Sequence, residues 1–126
     1  MNGKPKMLIV EDDELSLKFF NLYLSKSFDL TLAMSVEEFY KAISGDQIFD
    51  IFLMDISLRD TKDGLQLTKE LRAIEEYKDC PIIALTANVF KRDELAAYDA
   101  GITKFLRKPI ENEKLLQELT NALETS

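Results

Sequence analysis

The sequence of 126 residues predicts an α/β fold, in which helices cover both faces of a mostly parallel sheet. Two observations carry this prediction. Short apolar runs alternate with longer stretches that favour helices, and this strand–helix alternation occurs five times along the chain. Three of the runs, at 7–10, 51–54 and 82–85, contain only apolar residues, which is typical of central strands that are covered on both sides.

Each element follows from its own stretch of sequence. In chain order, strands are predicted at 7–10, at 28–33 where the alternation is weak, and at 51–54, 82–85 and 104–106. Helices are predicted at 14–25, 35–43, 65–74, 91–100 and from 112 onward; the first, third and fifth of these carry apolar residues at helical spacing. Residues that favour helix ends support these bounds: Asp13, Ser35 with Glu38, and Asn112 at N-termini, and Gly45 and Gly101 at C-termini.

The composition excludes several classes of function. Lys and Arg number 16 against 23 Asp and Glu, which disfavours direct binding of nucleic acid because that affinity depends largely on basic side chains. The chain has no histidine, so it can neither use histidine in acid–base catalysis nor carry a phosphohistidine. Its one cysteine, Cys80, excludes an internal disulfide and a multi-cysteine zinc site. We expect a cytoplasmic protein, since no apolar run approaches the roughly 20 residues of a membrane helix and the polar N-terminus lacks the apolar core of a signal peptide.

Polar side chains follow the predicted strands at the points where the strands end. Three carboxylates, a hydroxyl and an ammonium occupy these places: Glu11, Asp12, Asp55, Thr86 and Lys108. Open α/β sheets bind ligands at the carboxyl ends of their strands, so we expect these groups to converge. Carboxylates packed this closely repel one another unless a cation lies between them, and Mg²⁺ (with Mn²⁺ as an alternative) suits oxygen ligands and leaves room for a phosphate. An ionised aspartate is also a nucleophile that can form aspartyl phosphate.

The order and spacing of these residues resemble a known family. The matching segments, which together span essentially the whole chain, are Ile9–Asp13, Leu53–Asp55, Asp63–Gly64, Leu85–Ala87 and Lys108–Pro109. They are similar to those of response-regulator receiver domains of two-component signalling, such as the chemotaxis regulator. The resemblance implies a flavodoxin-like fold with five parallel strands in the order 2-1-3-4-5. It also implies a single receiver domain over residues 1–126, with a folded core at about 6–124.

The resemblance further implies roles at the acidic end of the sheet. Asp55 accepts a phosphoryl group from a partner histidine kinase or phosphotransfer protein. Asp12 binds Mg²⁺ directly, Glu11 acts mainly through a bound water, and the backbone carbonyl of Ser57 completes the protein ligands. In this interpretation the chain is a signalling switch that assists its own phosphorylation and dephosphorylation, and not an enzyme that acts on a separate substrate.

Three other residues are implied to stabilise the phosphoryl group and to transmit its presence. Lys108 pairs with the phosphoryl oxygens, and the Lys108–Pro109 bond is expected to be cis. Thr86 moves toward the phosphoryl group, and Phe105 occupies the position of the aromatic switch residue. The face formed by the fourth helix, the fifth strand and the fifth helix changes as a result.

Two features depart from the family pattern. The Met-Pro pair that often follows the acceptor is absent, and Gly64 lies nine positions past Asp55 instead of eight. The intervening loop is therefore longer by one residue, and it carries Asp60 and Asp63. Position 105 is Phe instead of Tyr, so a switch at Phe105 acts by packing and not by a hydroxyl hydrogen bond.

The partners implied are a kinase and a downstream protein target, with no direct contact to nucleic acid or membrane. The chain is expected to be a monomer or a weak homodimer. It is either a stand-alone regulator or a receiver excised from a hybrid kinase or larger regulator. In the family, the lifetime of the phosphorylated form depends partly on the positions occupied here by Ser57 and Asn88.

Two other function classes remain as alternatives. A receiver-like scaffold that is never phosphorylated is disfavoured by the intact set of polar residues at the strand ends. A flavin mononucleotide carrier is disfavoured because the carboxylates at 11–13 would repel a phosphate at the first helix N-terminus. Taken singly, each residue also has an ordinary structural interpretation: Glu11 and Asp12 as favourable charges at a helix N-terminus, Asp55 and Thr86 as strand-end residues, Lys108 as a solvated charge and Phe105 as core.

Overall fold

The computed structural model describes residues 3–87 and 90–125, so Asn88 lies outside the described residues. Within them, strands and helices alternate in the predicted way. The strands are β1 (Lys6–Val10), β2 (Asp29–Ala33), β3 (Ile51–Met54), β4 (Ile82–Thr86) and β5 (Lys104–Arg107). The helices are α1 (Glu14–Leu24), α2 (Val36–Ile43), α3 (Gly64–Arg72), α4 (Lys91–Ala100) and α5 (Asn112–Thr125), with a short 3-10 helix at Glu75–Tyr77.

The five strands form one parallel sheet in the order β2-β1-β3-β4-β5. This confirms the fold class and the strand order that the family resemblance implied. Val10 lies opposite Met54, and Met54 lies opposite Ala84, so the carboxyl ends of the three central strands lie side by side. Residues that follow these strands therefore start from one edge of the sheet.

Side chains of the central strands alternate between two cores, one on each face of the sheet. Leu8 and Phe52 belong to the core that α2, α3 and α4 cover, and Ile9 and Leu53 belong to the core that α1 and α5 cover. All four are almost completely buried. Because both faces are covered, the interiors of the central strands contain only apolar residues, and their polar residues, Lys6 and Thr86, stand at strand ends.

Several predicted helix ends are confirmed. The Asp13 carboxylate caps α1 by accepting a hydrogen bond from the amide of Ser16, and the Ser35 hydroxyl accepts one from the amide of Glu38 at the start of α2. Gly101 ends α4 in the left-handed conformation, with a φ of 114°. A residue with a side chain is strained in that conformation, which explains glycine at this position.

Other ends differ from the prediction. Gly45 does not have a positive φ, because Ser44 ends α2 in an ordinary right-handed conformation with its amide bonded to the last turn. Asn112 is the first residue of α5 and not its cap. The third helix begins one residue earlier than predicted, since Asp63 forms a complete capping box with Gln66. None of the described helices is long and apolar enough to cross a membrane.

Candidate functional site

Backbone hydrogen bonds continue past the strand ends and fix the polar residues that follow. The amide of Glu11 donates to the last carbonyl of β2 over 3.0 Å, and the amide of Asp55 donates to the carbonyl of Val10 over 2.9 Å. The amide of Lys108 donates to the carbonyl of Thr86 over 2.8 Å. The sheet itself therefore determines where these side chains leave the backbone.

Three carboxylates meet at this edge. Glu11, Asp12 and Asp55 each offer an oxygen atom, and these oxygens lie within 4.8 Å of one another. Glu11 is 2% exposed and Asp55 is 8% exposed. Oxygen ligands held at roughly 2.1 Å from one Mg²⁺ are about 3–4 Å apart, so both the spacing and the donor type fit a hard divalent cation.

Lys108 supplies the positive charge nearest to this cluster among the ion pairs of the described residues. Its Nζ lies 2.6 Å from Oε1 of Glu11 and 4.0 Å from Oδ2 of Asp55. The lysine side chain is 25% exposed, whereas both carboxylate side chains are nearly buried. One ammonium group thus faces two buried carboxylates, which leaves the cluster negative when all the groups are ionised.

The excess of negative charge, together with burial, makes Glu11 bind its proton more tightly. Burial of its carboxyl group, together with the neighbouring Asp55, raises the pKa of Glu11 to about 7, although Lys108 acts in the opposite direction. A cation in the cluster would favour the ionised form. The pocket is therefore arranged so that binding a cation relieves an electrostatic cost that the protein otherwise meets by holding a proton.

Backbone amides hold the two other carboxylates that follow β1, those of Asp12 and Asp13. Oδ2 of Asp12 accepts a hydrogen bond of 2.9 Å from the amide of Arg59, which lies 47 positions further along the chain. The Asp13 carboxylate accepts instead from the amide and hydroxyl of Ser16, and these bonds lower the pKa of Asp13. Asp12 therefore faces the cluster, and Asp13 serves α1.

Asp55 and Thr86 are linked through Ser57. The amide of Ser57 donates to Oδ1 of Asp55 over 2.8 Å, and the Ser57 hydroxyl lies 2.6 Å from the Thr86 hydroxyl. Thr86 is completely buried. Ser57 and Thr86 were both expected at the site, but the contact between their side chains was not, because nothing in the spacing of two residues 29 positions apart indicates it.

Phe105 lies apart from the carboxylates. It is 8% exposed and belongs to the core under α2, α3 and α4, and its amide donates to the hydroxyl of Tyr98 on α4 over 3.2 Å. The peptide bond between Lys108 and Pro109 is cis, as expected. The structure therefore brings six of the predicted residues to one edge of the sheet and places the seventh, Phe105, in the adjacent core.

Gly64 contributes to the site in a way that the sequence did not indicate. A Cβ atom added to this residue would overlap the carbonyl oxygen of Asp55 and lie 2.7 Å from the Cα of Ile56. The N-terminus of α3 therefore packs directly against the backbone of Asp55 and Ile56. Only glycine allows this approach, so the glycine at the start of α3 is explained by this close contact and not by a turn.

The groups border an open cleft of about 470 Å³, lined by Glu11, Asp12, Asp55, Ser57, Arg59 and Lys108 among others. Its lining is mostly polar and comes from residues that follow β1, β3, β4 and β5. This volume has room for a hydrated ion together with a small anionic group.

Comparisons with known proteins agree with this geometry. Residues 7–120 match the sequence model of the response regulator receiver domain. The polar-differentiation response regulator DivK of Brucella ovis is 31% identical over 117 residues, which cover 93% of this chain and 94% of DivK. The transcriptional regulatory protein GlrR of Escherichia coli K12 is 33% identical over 128 residues, but the chain spans only 28% of its length.

A solved structure has the same fold. The receiver domain of the sensor histidine kinase PA1611 from Pseudomonas aeruginosa PAO1, with a magnesium ion coordinated in its active site cleft, is 29% identical and superimposes with a TM-score of 0.86 over 97% of this chain and 99% of that one. Receiver domains similar to this chain thus occur both in response regulators and within a sensor kinase. From its sequence match, its fold and the groups gathered at the carboxyl edge of the sheet, the chain belongs to the response regulator receiver domain family of two-component signalling.

Proposed function

We propose that this receiver domain is a phosphorylation-controlled switch in which Asp55 is the phosphoacceptor. A phosphohistidine of a partner histidine kinase or phosphotransfer protein supplies the phosphoryl group, in a reaction that depends on Mg²⁺. The observation that carries the proposal is the position of Asp55, which is nearly buried and lies close to two other carboxylates and to the ammonium group of Lys108. Such a constellation has no evident structural use, because it costs desolvation and repulsion.

The Asp55 carboxylate is oriented for nucleophilic attack. Its Oδ1 is held by the amide of Ser57, and its Oδ2 faces Lys108 at 4.0 Å. An oxygen of Asp55 forms a bond to phosphorus while the bond between phosphorus and the histidine nitrogen breaks, and the nitrogen keeps the electron pair. Lys108 is near enough to stabilise the negative charge that spreads over the phosphoryl oxygens.

The acidic cluster fits a divalent cation, and we assign this role to Mg²⁺, with Mn²⁺ as an alternative. Asp12, Asp55 and the backbone carbonyl of Ser57 would hold the ion, with Glu11 acting through a water molecule. When bound, the ion supplies positive charge against the phosphoryl oxygens. The bound cation would then compensate the repulsion between the ionised carboxylates of Glu11 and Asp55, in place of the proton that burial favours on Glu11.

The contact between Thr86 and Ser57 defines one state of the switch. In this state the Thr86 hydroxyl lies 2.6 Å from that of Ser57. To reach a phosphoryl group on Asp55, Thr86 exchanges this contact for one with a phosphoryl oxygen. Phe105 then repacks in the space near Thr86 and changes the face of α4, β5 and α5. A coupling of roughly 1–3 kcal/mol is the scale expected from such differential contacts.

The downstream target is a protein that distinguishes the two states of this face, and direct recognition of DNA is not expected. The chain acts as a monomer or a weak homodimer. Its net charge of −7 is consistent with protein partners and unfavourable for a phosphate backbone.

Mass spectrometry after incubation with Mg²⁺ and acetyl phosphate tests the proposal. The wild type is expected to gain about 80 Da, and Asp55→Asn is expected to gain nothing, because the amide is not a nucleophile toward phosphorus. Chelation of the metal should also prevent labelling. Equal labelling of both proteins would reject Asp55 as the acceptor. A wild type that stays unlabelled and binds no Mg²⁺ would favour the scaffold alternative.

A further inference from the structure

The loop from residue 55 to residue 63, which connects β3 to α3 and is here named the β3–α3 loop, touches both the acidic cluster and α2. On one side, the amides of Ser57 and Arg59 donate to the carboxylates of Asp55 and Asp12 over 2.8 and 2.9 Å. On the other side, Oδ2 of Asp60 accepts a hydrogen bond of 2.9 Å from the amide of Val36, the first residue of α2. Adjacent residues of one loop thus bridge the pocket and a helix end.

The bridge at Asp60 satisfies a need of α2. The first amides of a helix have no partner within the helix. The Ser35 hydroxyl accepts from the amide of Glu38, and Asp60 accepts from a different one, that of Val36. Oδ1 of Asp60 also accepts from the amide of Thr61 over 2.6 Å, and the two backbone bonds lower the pKa of Asp60. The carboxylate is therefore held from both sides, by α2 and by its own loop.

A second attachment lies two residues further on. Nζ of Lys62 lies 2.6 Å from the hydroxyl of Tyr40 on α2 and 2.6 Å from Oε2 of Glu70 on α3. The side chains of Lys62 and Glu70 are 39% and 37% exposed, so solvent weakens this ion pair. Asp60 is the nearer attachment to the pocket, because the residue that precedes it, Arg59, is itself bonded to Asp12.

We propose that Asp60 is a positioning residue for the phosphoacceptor pocket. By fixing the β3–α3 loop to the N-terminus of α2, it keeps the backbone of Ser57 and Arg59 against Asp55 and Asp12. Consecutive Cα atoms are 3.8 Å apart, so a shift of residue 60 is passed on directly to Arg59. This inference rests on the proposed function for its consequence in signalling, while the restraint on the loop is measurable without metal or phosphodonor.

The same loop offers a matched control. Asp63 caps α3 by accepting from the amide of Gln66, so Asp63→Ala removes one carboxylate and one helix cap from the loop, as Asp60→Ala does. Asp63 bonds to α3, however, and Asp60 bonds to α2. Asp60→Asn removes the charge and one of the two acceptor oxygens, so it loses the acceptor for Thr61 but keeps an oxygen that can accept from Val36. The link to α2 should therefore persist in this variant.

Amide hydrogen exchange and Mg²⁺ titration calorimetry test the inference, with urea unfolding to compare global stability. In metal-free protein, Asp60→Ala should speed exchange at Ser57 and Arg59 by about fivefold, the scale of a lost helix cap, and Mg²⁺ affinity should fall by about the same factor. Asp63→Ala and Asp60→Asn should match the wild type at both amides and in Mg²⁺ affinity. Unchanged exchange in Asp60→Ala, or an equal rise in Asp63→Ala, overturns the inference. If the wild type binds no Mg²⁺ while Asp60→Ala alone shows faster exchange at Ser57 and Arg59, the proposed function is refuted and the restraint by Asp60 is established.

Discussion

Two lysine–glutamate pairs in this protein have the same separation and opposite electrostatic consequences. Nζ of Lys108 lies 2.6 Å from a carboxylate oxygen of Glu11, and Nζ of Lys62 lies 2.6 Å from one of Glu70. The pKa of Glu70 is lowered by hydrogen bonds from Lys62 and Tyr40. The pKa of Glu11 is raised, although its lysine is equally close.

The difference between the pairs comes from their surroundings. The side chain of Glu11 is 3% exposed and shares its site with Asp55, whereas that of Glu70 is 37% exposed and has a phenol beside it. Desolvation and a second carboxylate outweigh one ammonium group in the first case, and neither is important in the second. The exposed pair therefore stabilises the ionised form of Glu70. In the pocket, one lysine is not enough to do the same for Glu11, and the site still needs positive charge.

The largest expected effect comes from removing the lysine of the pocket pair. Lys108→Met should slow labelling by acetyl phosphate with Mg²⁺ by about 100-fold or more, the scale seen when one preorganised donor to a transition state is lost. The measurement is the initial rate of mass gain at a fixed phosphodonor concentration.

Lys78→Met is the matched control for this change. Lys78 pairs with Glu75 on the short 3-10 helix, and both side chains are mostly exposed, so the labelling rate should stay within about twofold of the wild type. If Lys108→Met also labels within threefold of the wild type, the pocket pair has no role in phosphoryl transfer and the comparison loses its functional meaning.

A smaller effect is expected on stability, with opposite pH dependence for the two glutamates. In metal-free buffer, Glu11 binds its proton more tightly in the folded state, so its contribution to stability is lost as pH rises from about 4.5 through about 7. Glu70 binds its proton less tightly when folded, so its contribution is present above about 4.5 and lost as pH falls below that value.

Urea unfolding of two variants from about pH 3 to about pH 8 measures this contrast. Glu11→Gln should become more stable than the wild type on the alkaline side by about 1–3 kcal/mol, since a pKa difference of one corresponds to about 1.4 kcal/mol. Saturating Mg²⁺ should reduce or reverse that advantage. Glu70→Gln should differ from the wild type mainly in losing the decline below about pH 4.5. The same pH profile for both variants would contradict the assigned difference in burial.

The smallest effect is expected at the phenol of the exposed pair. Tyr40 donates to Glu70 over 2.7 Å and accepts from Lys62 over 2.6 Å. Tyr40→Phe should lower the free energy of unfolding by about 1 kcal/mol, the usual worth of a hydrogen bond, without changing its pH dependence near neutrality. A loss of more than about 3 kcal/mol in urea unfolding would mean that the exposed pair is far more important to the fold than its exposure suggests.

The positions of the strands and helices were predictable because they depend on local patterns. The three apolar runs at 7–10, 51–54 and 82–85 became the central strands, and the weak run at 28–33 became an edge strand. Helix ends were less predictable. Gly45 was expected to end α2, but Ser44, in an ordinary right-handed conformation, ends it. The pairing of backbone amides at an end depends on neighbours that local sequence does not specify.

The members of the candidate site were also predictable, but most of their contacts were not. Polar residues after apolar runs converge in any parallel sheet, so Glu11, Asp55 and Lys108 could be named in advance. The contacts of Ser57 with Thr86 and of Asp60 with Val36 join residues 29 and 24 positions apart. Ser57 and Asp60 both lie in the β3–α3 loop, whose conformation no period of the sequence determines.

The sequence alone determined the α/β class, the run of central strands and the identity of the groups at their carboxyl ends, because hydrophobic periodicity and strand direction are properties of the chain itself. Only the tertiary structure decided that one lysine faces two buried carboxylates, that Gly64 lies against the backbone of Asp55, and that the long loop is tied to α2. These features depend on burial and on distances between segments far apart in sequence, and both exist only once the chain has packed.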